Sequence, residues 1–138
     1  MFVSNLTIEN RVGNKDESSF IENPSWQQIE TAILELNGKS KTLVTLGADE
    51  ETYMSIGGGE AGKYIVNVTF DNMSFYNLVN FSKSEQIEKL VVGGQVGDYP
   101  EKMCINLQTV LLASKIFAEL GKREESVNWQ EEKTFAFL

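Results

Sequence analysis

One stretch of the sequence has the spacing of a phosphate-binding loop. Residues 57–63, Gly-Gly-Gly-Glu-Ala-Gly-Lys, match both Gly-x-Gly-x-x-Gly and Gly-x-x-x-x-Gly-Lys. A magnesium-nucleotide loop needs Ser or Thr after the lysine and a helix whose N-terminus faces the phosphates. Tyr64 stands at that position instead, and residues 65–68 have the pattern of a strand. The run therefore predicts a glycine-rich hairpin turn that does not bind nucleotides.

The chain lacks the residues that most other catalytic and metal sites require. The chain contains no histidine and one cysteine, Cys104. Ser-His-Asp and Cys-His nucleophiles, histidine bases and histidine or Cys-rich metal sites are thus excluded. A catalyst would have to use carboxylates, Lys, Tyr or the backbone. Cys104 lies between Met103 and Ile105 and is expected to be a small buried hydrophobe. We predict no catalytic residue, no metal, no cofactor and no enzymatic activity.

The excess of acidic residues is the remaining feature of the sequence that could indicate a function. Twenty Asp and Glu against twelve Lys and Arg give a net charge of −8, with a pI near 4.6. This charge disfavours nucleic acid and anionic membranes and favours a basic partner. Acids on predicted turns can be solvated surface, a partner-binding patch or, with paired carboxylates, a catalytic or metal site. The candidate partner-binding residues are these acids and one tryptophan in acidic surroundings: Asp49, Glu50, Glu51, Asp71, Asp98, Glu101 and Trp129.

Two helices are predicted to flank a run of strands. Asn23 is a candidate cap and Pro24 a first helical residue, followed by apolar residues at helical spacing, with Trp26 as a core anchor and Gly38 as the stop. The second helix is predicted from an Asn106 cap to a Gly121 stop. After a loop-like stretch at 13–19, residues 41–93 follow the period of strands.

The strands predict an antiparallel meander. Alternating segments occur at 41–46, 52–57, 63–70, 75–81 and 87–93, after a loose first strand at 2–9. A loop with Gly93, Gly94, Gly97 and Pro100 is expected to follow. The prediction is an α+β fold, a meander of five to six strands with both helices on one face. We assign residues 1–138 to a single domain. Without a signal peptide or an apolar run of about 20 residues, the chain is expected in the cytoplasm, away from membranes.

Taken in order, a set of residues resembles a known family. They are Asn23-Pro24-Ser25-Trp26 with Ile29 and Glu30, Asn37-Gly38, Gly57-Gly58-Gly59, Gly62, Tyr64, Val91-Val92-Gly93-Gly94-Gln95, Tyr99-Pro100, Ala113, Phe117, Gly121 and Trp129. This order resembles the Imm-one (Imm1) family of immunity proteins from bacterial polymorphic toxin systems. Asn37 departs from the acidic residue expected before Gly38. The resemblance implies a small cytoplasmic antidote encoded beside a toxin, often a nucleic-acid deaminase or nuclease, and it implies no catalytic residues.

Two hypotheses follow from the charge and the resemblance. In the first, the acidic domain binds a cognate toxin and occludes its basic active site. In the second, it is a small carboxylate-based hydrolase or a domain that binds a small ligand on its sheet. A toxin gene immediately upstream would favour the first. The sequence leaves the oligomeric state open.

Overall fold

The computed structural model describes residues 1–132, in which two helices and eleven short strands are formed. The helices are α1 (Trp26–Leu34) and α2 (Leu107–Leu120). The strands are β1 (Asn5–Ile8), β2 (Arg11–Val12), β3 (Lys15–Asp16), β4 (Ser19–Glu22), β5 (Leu43–Gly47), β6 (Tyr53–Gly58), β7 (Tyr64–Thr69), β8 (Phe75–Val79), β9 (Ile87–Val92), β10 (Gln95–Pro100) and β11 (Asn128–Glu131).

Seven strands form one antiparallel sheet in the order β11-β8-β7-β6-β5-β1-β4. Its centre, β5 to β8, is the predicted meander. The first strand of the chain extends the sheet beside β5, and β4 and β11 form its two edges. This confirms the α+β class with a large antiparallel sheet. Strand β4 was not predicted, because its four residues, Ser-Phe-Ile-Glu, are too few to show the alternating pattern that distinguishes a strand from a loop.

The hydrophobic core lies between one face of this sheet and both helices. Alternate residues of the strands point to it, so Leu6, Leu46, Met54 and Val68 stand side by side across four strands and are fully buried. The helices contribute their own apolar stripes to the same cluster, chiefly Ile29, Ile33, Val110, Ala113 and Phe117. Both helices therefore cover one face, as predicted.

The predicted start of α1 was wrong by two residues. Asn23 does not cap the helix, since its φ of +50° places it in a tight turn. Ser25 is the cap: its side chain accepts from the Gln28 N–H at 3.1 Å, and the Gln28 side chain accepts from the Ser25 N–H at 2.9 Å. This reciprocal capping box satisfies two backbone donors at once and outweighs the preference for proline in the first turn.

The predicted stop of α1 was also too late. The helix ends at Leu34, and the N–H groups of Asn37 and Gly38 instead donate to the Lys41 carbonyl. Gly38 has a φ of +72° and lies against the backbone of Glu60, where a side chain would not fit. The predictions for α2 are confirmed: Asn106 caps it by accepting from Thr109 N–H at 2.9 Å, and Gly121 ends it with a φ of +68°.

The last predicted strand does not join the meander. Residues 87–92 pair with β10 in a separate two-stranded hairpin, so the loop predicted after residue 93 is largely strand. Gly93 and Gly94 form its two-residue turn with φ of +61° and +76°, the conformation that matches the twist of paired strands. The hairpin packs on the outer face of the main sheet over a second small core of Ile65, Leu90 and Cys104.

Candidate functional site

Four of the candidate acids lie at one end of the main sheet. The turn between β5 and β6 carries Asp49, Glu50 and Glu51, and the turn between β7 and β8 carries Asp71. Alternate turns of an antiparallel meander fall at the same end, so the register of β5 to β8 brings these two turns to one side. All four residues are exposed. We call Asp49, Glu50, Glu51 and Asp71 the acidic end.

Hydrogen bonds fix the shape of both acidic turns. Asp49 Oδ1 accepts from the Glu51 N–H at 2.8 Å. Asp71 Oδ1 accepts from the backbone N–H groups of Ser74 at 2.8 Å and Met73 at 2.9 Å, and these bonds hold the pKa of Asp71 below its usual value. Asp49 and Asp71 are therefore tied to their own turns. Glu50 and Glu51 extend the negative charge into solvent.

The acidic end has a basic neighbour. Helix α2 ends on this side of the sheet, where the Phe2 N–H donates to the Ala118 carbonyl at 2.9 Å. Lys122 and Arg123 follow the helix, and the Arg123 guanidinium lies 4.1 Å from the centre of the Tyr76 ring. A cation stacked on an aromatic face keeps its charge but has a fixed position.

Asp98 and Glu101 are placed away from the acidic end. They belong to the β9–β10 hairpin and the turn after it, and this hairpin lies over Gly57 and Ile65, toward the other end of the sheet. The Asp98 carboxylate contacts Lys89 Nζ at 2.7 Å, which compensates its charge locally. The structure thus separates the six candidate acids into two groups.

Trp129 is half-buried on β11, one of the two edge strands of the main sheet. It lies on β11 opposite Leu78, packs against the main core, and donates from Nε1 to the Glu124 carbonyl at 3.0 Å. Trp26 is likewise half-buried rather than enclosed, with Lys115 Nζ 5.9 Å from its ring centre. Each tryptophan therefore has both a packing role and an accessible part.

A buried polar network that the sequence did not indicate holds the hairpin to the sheet. The Glu9 carboxylate, 5% exposed, accepts from both the Thr42 N–H, at 3.0 Å, and the Thr42 hydroxyl. Thr42 Oγ1 accepts in turn from the Gly94 N–H at 2.9 Å. Arg11 Nε donates to the Glu9 carboxylate at 3.1 Å, and Arg11 Nη2 donates to the Gly93 carbonyl at 3.1 Å. An acid at the end of the first predicted strand was the one available signal, and its partner Thr42 lies 33 residues further along the chain.

The environment of Cys104 makes its thiol unreactive. It is fully buried beneath the hairpin, and burial, with a smaller effect of Glu88, raises its pKa to about 11.

Glu88 pairs with Lys63, the lysine of the phosphate-loop-like run. That hydrogen bond lowers the pKa of Glu88 and raises the pKa of Lys63. The Lys63 ammonium is thus held by a carboxylate, and the glycine run forms the predicted hairpin turn between β6 and β7.

The surface carries a small cavity and several larger open grooves. A cavity of about 200 Å³ lies beside the start of α2, lined by Asn80, Lys83, Cys104 and Asn128 among others. The groove between β4 and α1 has a volume of about 300 Å³, and a groove beside β11 has about 500 Å³. Ligand pockets usually enclose about 300–1,000 Å³, so these volumes alone do not exclude a small ligand. Within residues 1–132, no three Cys, Asp or Glu residues come together in a way that could hold a metal ion. No helix in this part of the chain is long and apolar enough to cross a membrane.

The fold and the surface define an α+β protein that presents a charged end of its sheet. The family model described as Immunity protein Imm1 matches residues 19–131. The chain therefore belongs to the Imm1 family of immunity proteins, in agreement with the resemblance in its sequence. The match covers α1, α2, the meander and the hairpin. No curated protein and no solved structure matches the chain.

Proposed function

We propose that this protein neutralises a cognate bacterial toxin by binding its toxic domain and covering the active site. Membership of the immunity family supports the class of function. The observation that carries the mode of action is the acidic end, where two turns of the meander present Asp49, Glu50, Glu51 and Asp71 together on a chain of net charge −8. Such a surface favours a basic partner.

The proposed toxin acts on nucleic acid, as a deaminase or a nuclease of a polymorphic toxin system. Such an enzyme needs a positively charged cleft for the phosphate backbone. Carboxylates on a rigid scaffold can occupy that cleft in place of phosphates, and opposite charge also speeds the encounter. The fixed turns suit this role, because hydrogen bonds hold Asp49 and Asp71 before binding and less ordering is required.

In this proposal the protein has no catalytic activity, needs no cofactor and meets the toxin in the cytoplasm. The buried thiol and the carboxylate-bound Lys63 support inhibition by binding rather than turnover. The antidote then acts stoichiometrically, and one bound copy protects against one toxin domain.

Co-expression tests the proposal. Cells that express the toxin domain encoded beside this chain should survive when the intact chain is co-expressed, and the purified proteins should form a complex. A catalytically inactive toxin domain serves for the binding measurement. Equal killing with and without this chain, when both proteins are confirmed to be expressed, would contradict the proposal.

A further inference from the structure

The edge strand β4 presents backbone hydrogen-bonding groups to solvent. In its pairing with β1, the Asn23 N–H donates to Ser4 O and the Glu17 N–H donates to Asn10 O. Hydrogen-bonded pairs alternate along an antiparallel ladder, so Ser19 and Ile21 direct their N–H and C=O groups to β1. The N–H and C=O groups of Phe20 and Glu22 therefore point away from the sheet, on the side where β4 has no neighbouring strand.

An apolar groove runs beside this edge, between β4 and α1. Ile8, Ile21 and Ala32 form its apolar lining, with Gln27 and Thr31 of α1 beside them, and its volume is about 300 Å³. On the other face of the sheet, the Phe20 side chain is 61% exposed. A strand added to β4 would direct alternate side chains into the groove and toward Phe20.

The charge around the edge specifies the kind of partner. Residues 16–38, which contain β4 and α1, include five Asp and Glu and no Lys or Arg. One of the five, Glu35, pairs with Lys41 at 3.0 Å, and the other four are Asp16, Glu17, Glu22 and Glu30. Glu22 lies at the same end of the sheet as the acidic end, since its register partner Asn5 pairs with Gly47 just before the Asp49 turn.

We propose that an extended segment of the cognate toxin binds as an additional strand along β4. This inference rests on the proposed function, and it identifies a second contact surface continuous with the acidic end. The segment carries an apolar side chain that enters the groove, and Lys or Arg nearby that meets the acids of residues 16–38. Main-chain hydrogen bonds to Phe20 and Glu22 supply affinity, and the groove supplies specificity.

The surroundings of β4 fit this role better than those of β11 at the other edge. Proteins usually protect an exposed edge with Lys, Pro or a covering element, and neither Lys nor Pro occurs in β4 or in β11. The groove beside β11 is lined by Val127 and Trp129 together with charged residues of both signs, among them Lys122, Arg123 and Glu124, so its charge does not select a basic partner.

A proline at position 20 tests the inference directly. Phe20→Pro removes the outward N–H while leaving the bonds from β4 to β1, because proline is tolerated on an edge whose N–H faces solvent. Glu131→Pro is the matched control, since the register with β8 and the Glu132 N–H bond to Phe75 O direct the Glu131 N–H outward at the other edge. Phe20→Ala distinguishes the contribution of the Phe20 side chain to binding from that of its backbone N–H. Thr31→Arg fills the groove from α1 without altering β4.

Binding to the inactivated toxin domain should weaken about tenfold or more for Phe20→Pro and for Thr31→Arg, because a partner carbonyl is left unpaired or the groove is blocked. Phe20→Ala should have a smaller effect, and Glu131→Pro should bind within about twofold of the intact chain. Hydrogen exchange should slow at the Phe20 and Glu22 amides when toxin is added. Thermal unfolding of each variant identifies any that is not folded.

Distinct outcomes separate this inference from the proposed function. Full affinity in Phe20→Pro and Thr31→Arg, in a chain that still protects cells, would overturn the edge interface and leave immunity in place. If Phe20→Pro instead abolishes self-association of this chain without weakening toxin binding, the edge belongs to a second copy and the inference is wrong. If the intact chain does not bind the toxin, both proposals fail.

Discussion

Val92 of the hairpin packs directly on the α-carbon of Gly57 in the main sheet. A Cβ at position 57 would overlap the Val92 Cγ1 and would lie 3.2 Å from the Thr42 carbonyl oxygen. Gly57 has no positive φ, so its lack of a side chain serves this contact and not a turn. The first glycine of the phosphate-loop-like run is thus required for two layers of strands to approach each other.

Gly57→Ala should therefore lower the free energy of unfolding by about 1–3 kcal/mol, the usual cost of overpacking a tight contact. Val92→Ala in the same chain removes the overlapping methyl groups and should recover part of that loss. Urea denaturation of the two single variants and the double variant gives the coupling. Strictly additive effects would show that the two residues do not constrain each other.

Thr42→Val should detach the hairpin turn from the sheet. The substitution removes the hydroxyl that donates to Glu9 and accepts from Gly94, and it leaves a carboxylate buried with fewer donors. We expect a loss of about 1–3 kcal/mol and faster hydrogen exchange at the Gly94 amide. Thr45→Val, on the same strand region but in the half-buried outer row, should change stability by less than about 0.5 kcal/mol. Equal effects at both positions would contradict the tether.

The sequence predicted the elements that depend on local signals. The Asn106 cap, the Gly121 stop and the meander from β5 to β8 were visible because capping, positive φ and alternation are encoded within a few residues. The start of α1 was missed because Asn23, Pro24 and Ser25 all fit a helix start, and only the Gln28 side chain decides among them.

The arrangement of the hairpin could not be predicted, because it depends on distant contacts. Nothing near residues 87–93 shows that Val92 will rest on Gly57 or that Gly94 will meet Thr42. The acidic end was predicted in part: alternation places the Asp49 and Asp71 turns at one end, while the position of Asp98 depends on the hairpin. The β4 edge was not predicted, since four residues carry too weak a pattern.

Phe117→Ala should be among the most damaging single changes. Phe117 is fully buried and packs edge-on against Phe2 and Phe70, with ring centres 5.7 Å and 6.0 Å away. Emptying such a site costs about 3–5 kcal/mol. Trp26, predicted as the core anchor, is half-buried, so Trp26→Ala should cost less, about 2 kcal/mol. Urea denaturation ranks the two variants, and a larger effect at Trp26 would show that its packing is more complete than its exposure indicates.

The thiol of Cys104 should be almost unreactive in the folded protein. Burial raises its pKa from 9.0 to about 11, so very little of it is thiolate at pH 8. A disulfide reagent should therefore modify the native chain much more slowly than the urea-unfolded chain, and the difference should narrow as the pH rises toward 11. Thr42→Val should speed the reaction, because it loosens the hairpin that covers the thiol. Equal rates in the native and unfolded chains would contradict burial.

Charge reversal at the acidic end should slow association with the toxin without affecting the fold. Glu50 is the suitable residue, because Asp49 and Asp71 also hold their turns, whereas Glu50 is exposed and its change leaves those bonds intact. Glu50→Lys should reduce the association rate constant about threefold or more at low salt, and the difference should shrink as salt screens the charges. Glu60→Lys is the matched control: it makes the same change in net charge on an exposed turn at the opposite end of the sheet. Stopped-flow association at several salt concentrations measures both variants, and equal slowing by Glu50→Lys and Glu60→Lys would mean that net charge, and not the acidic end, steers the encounter.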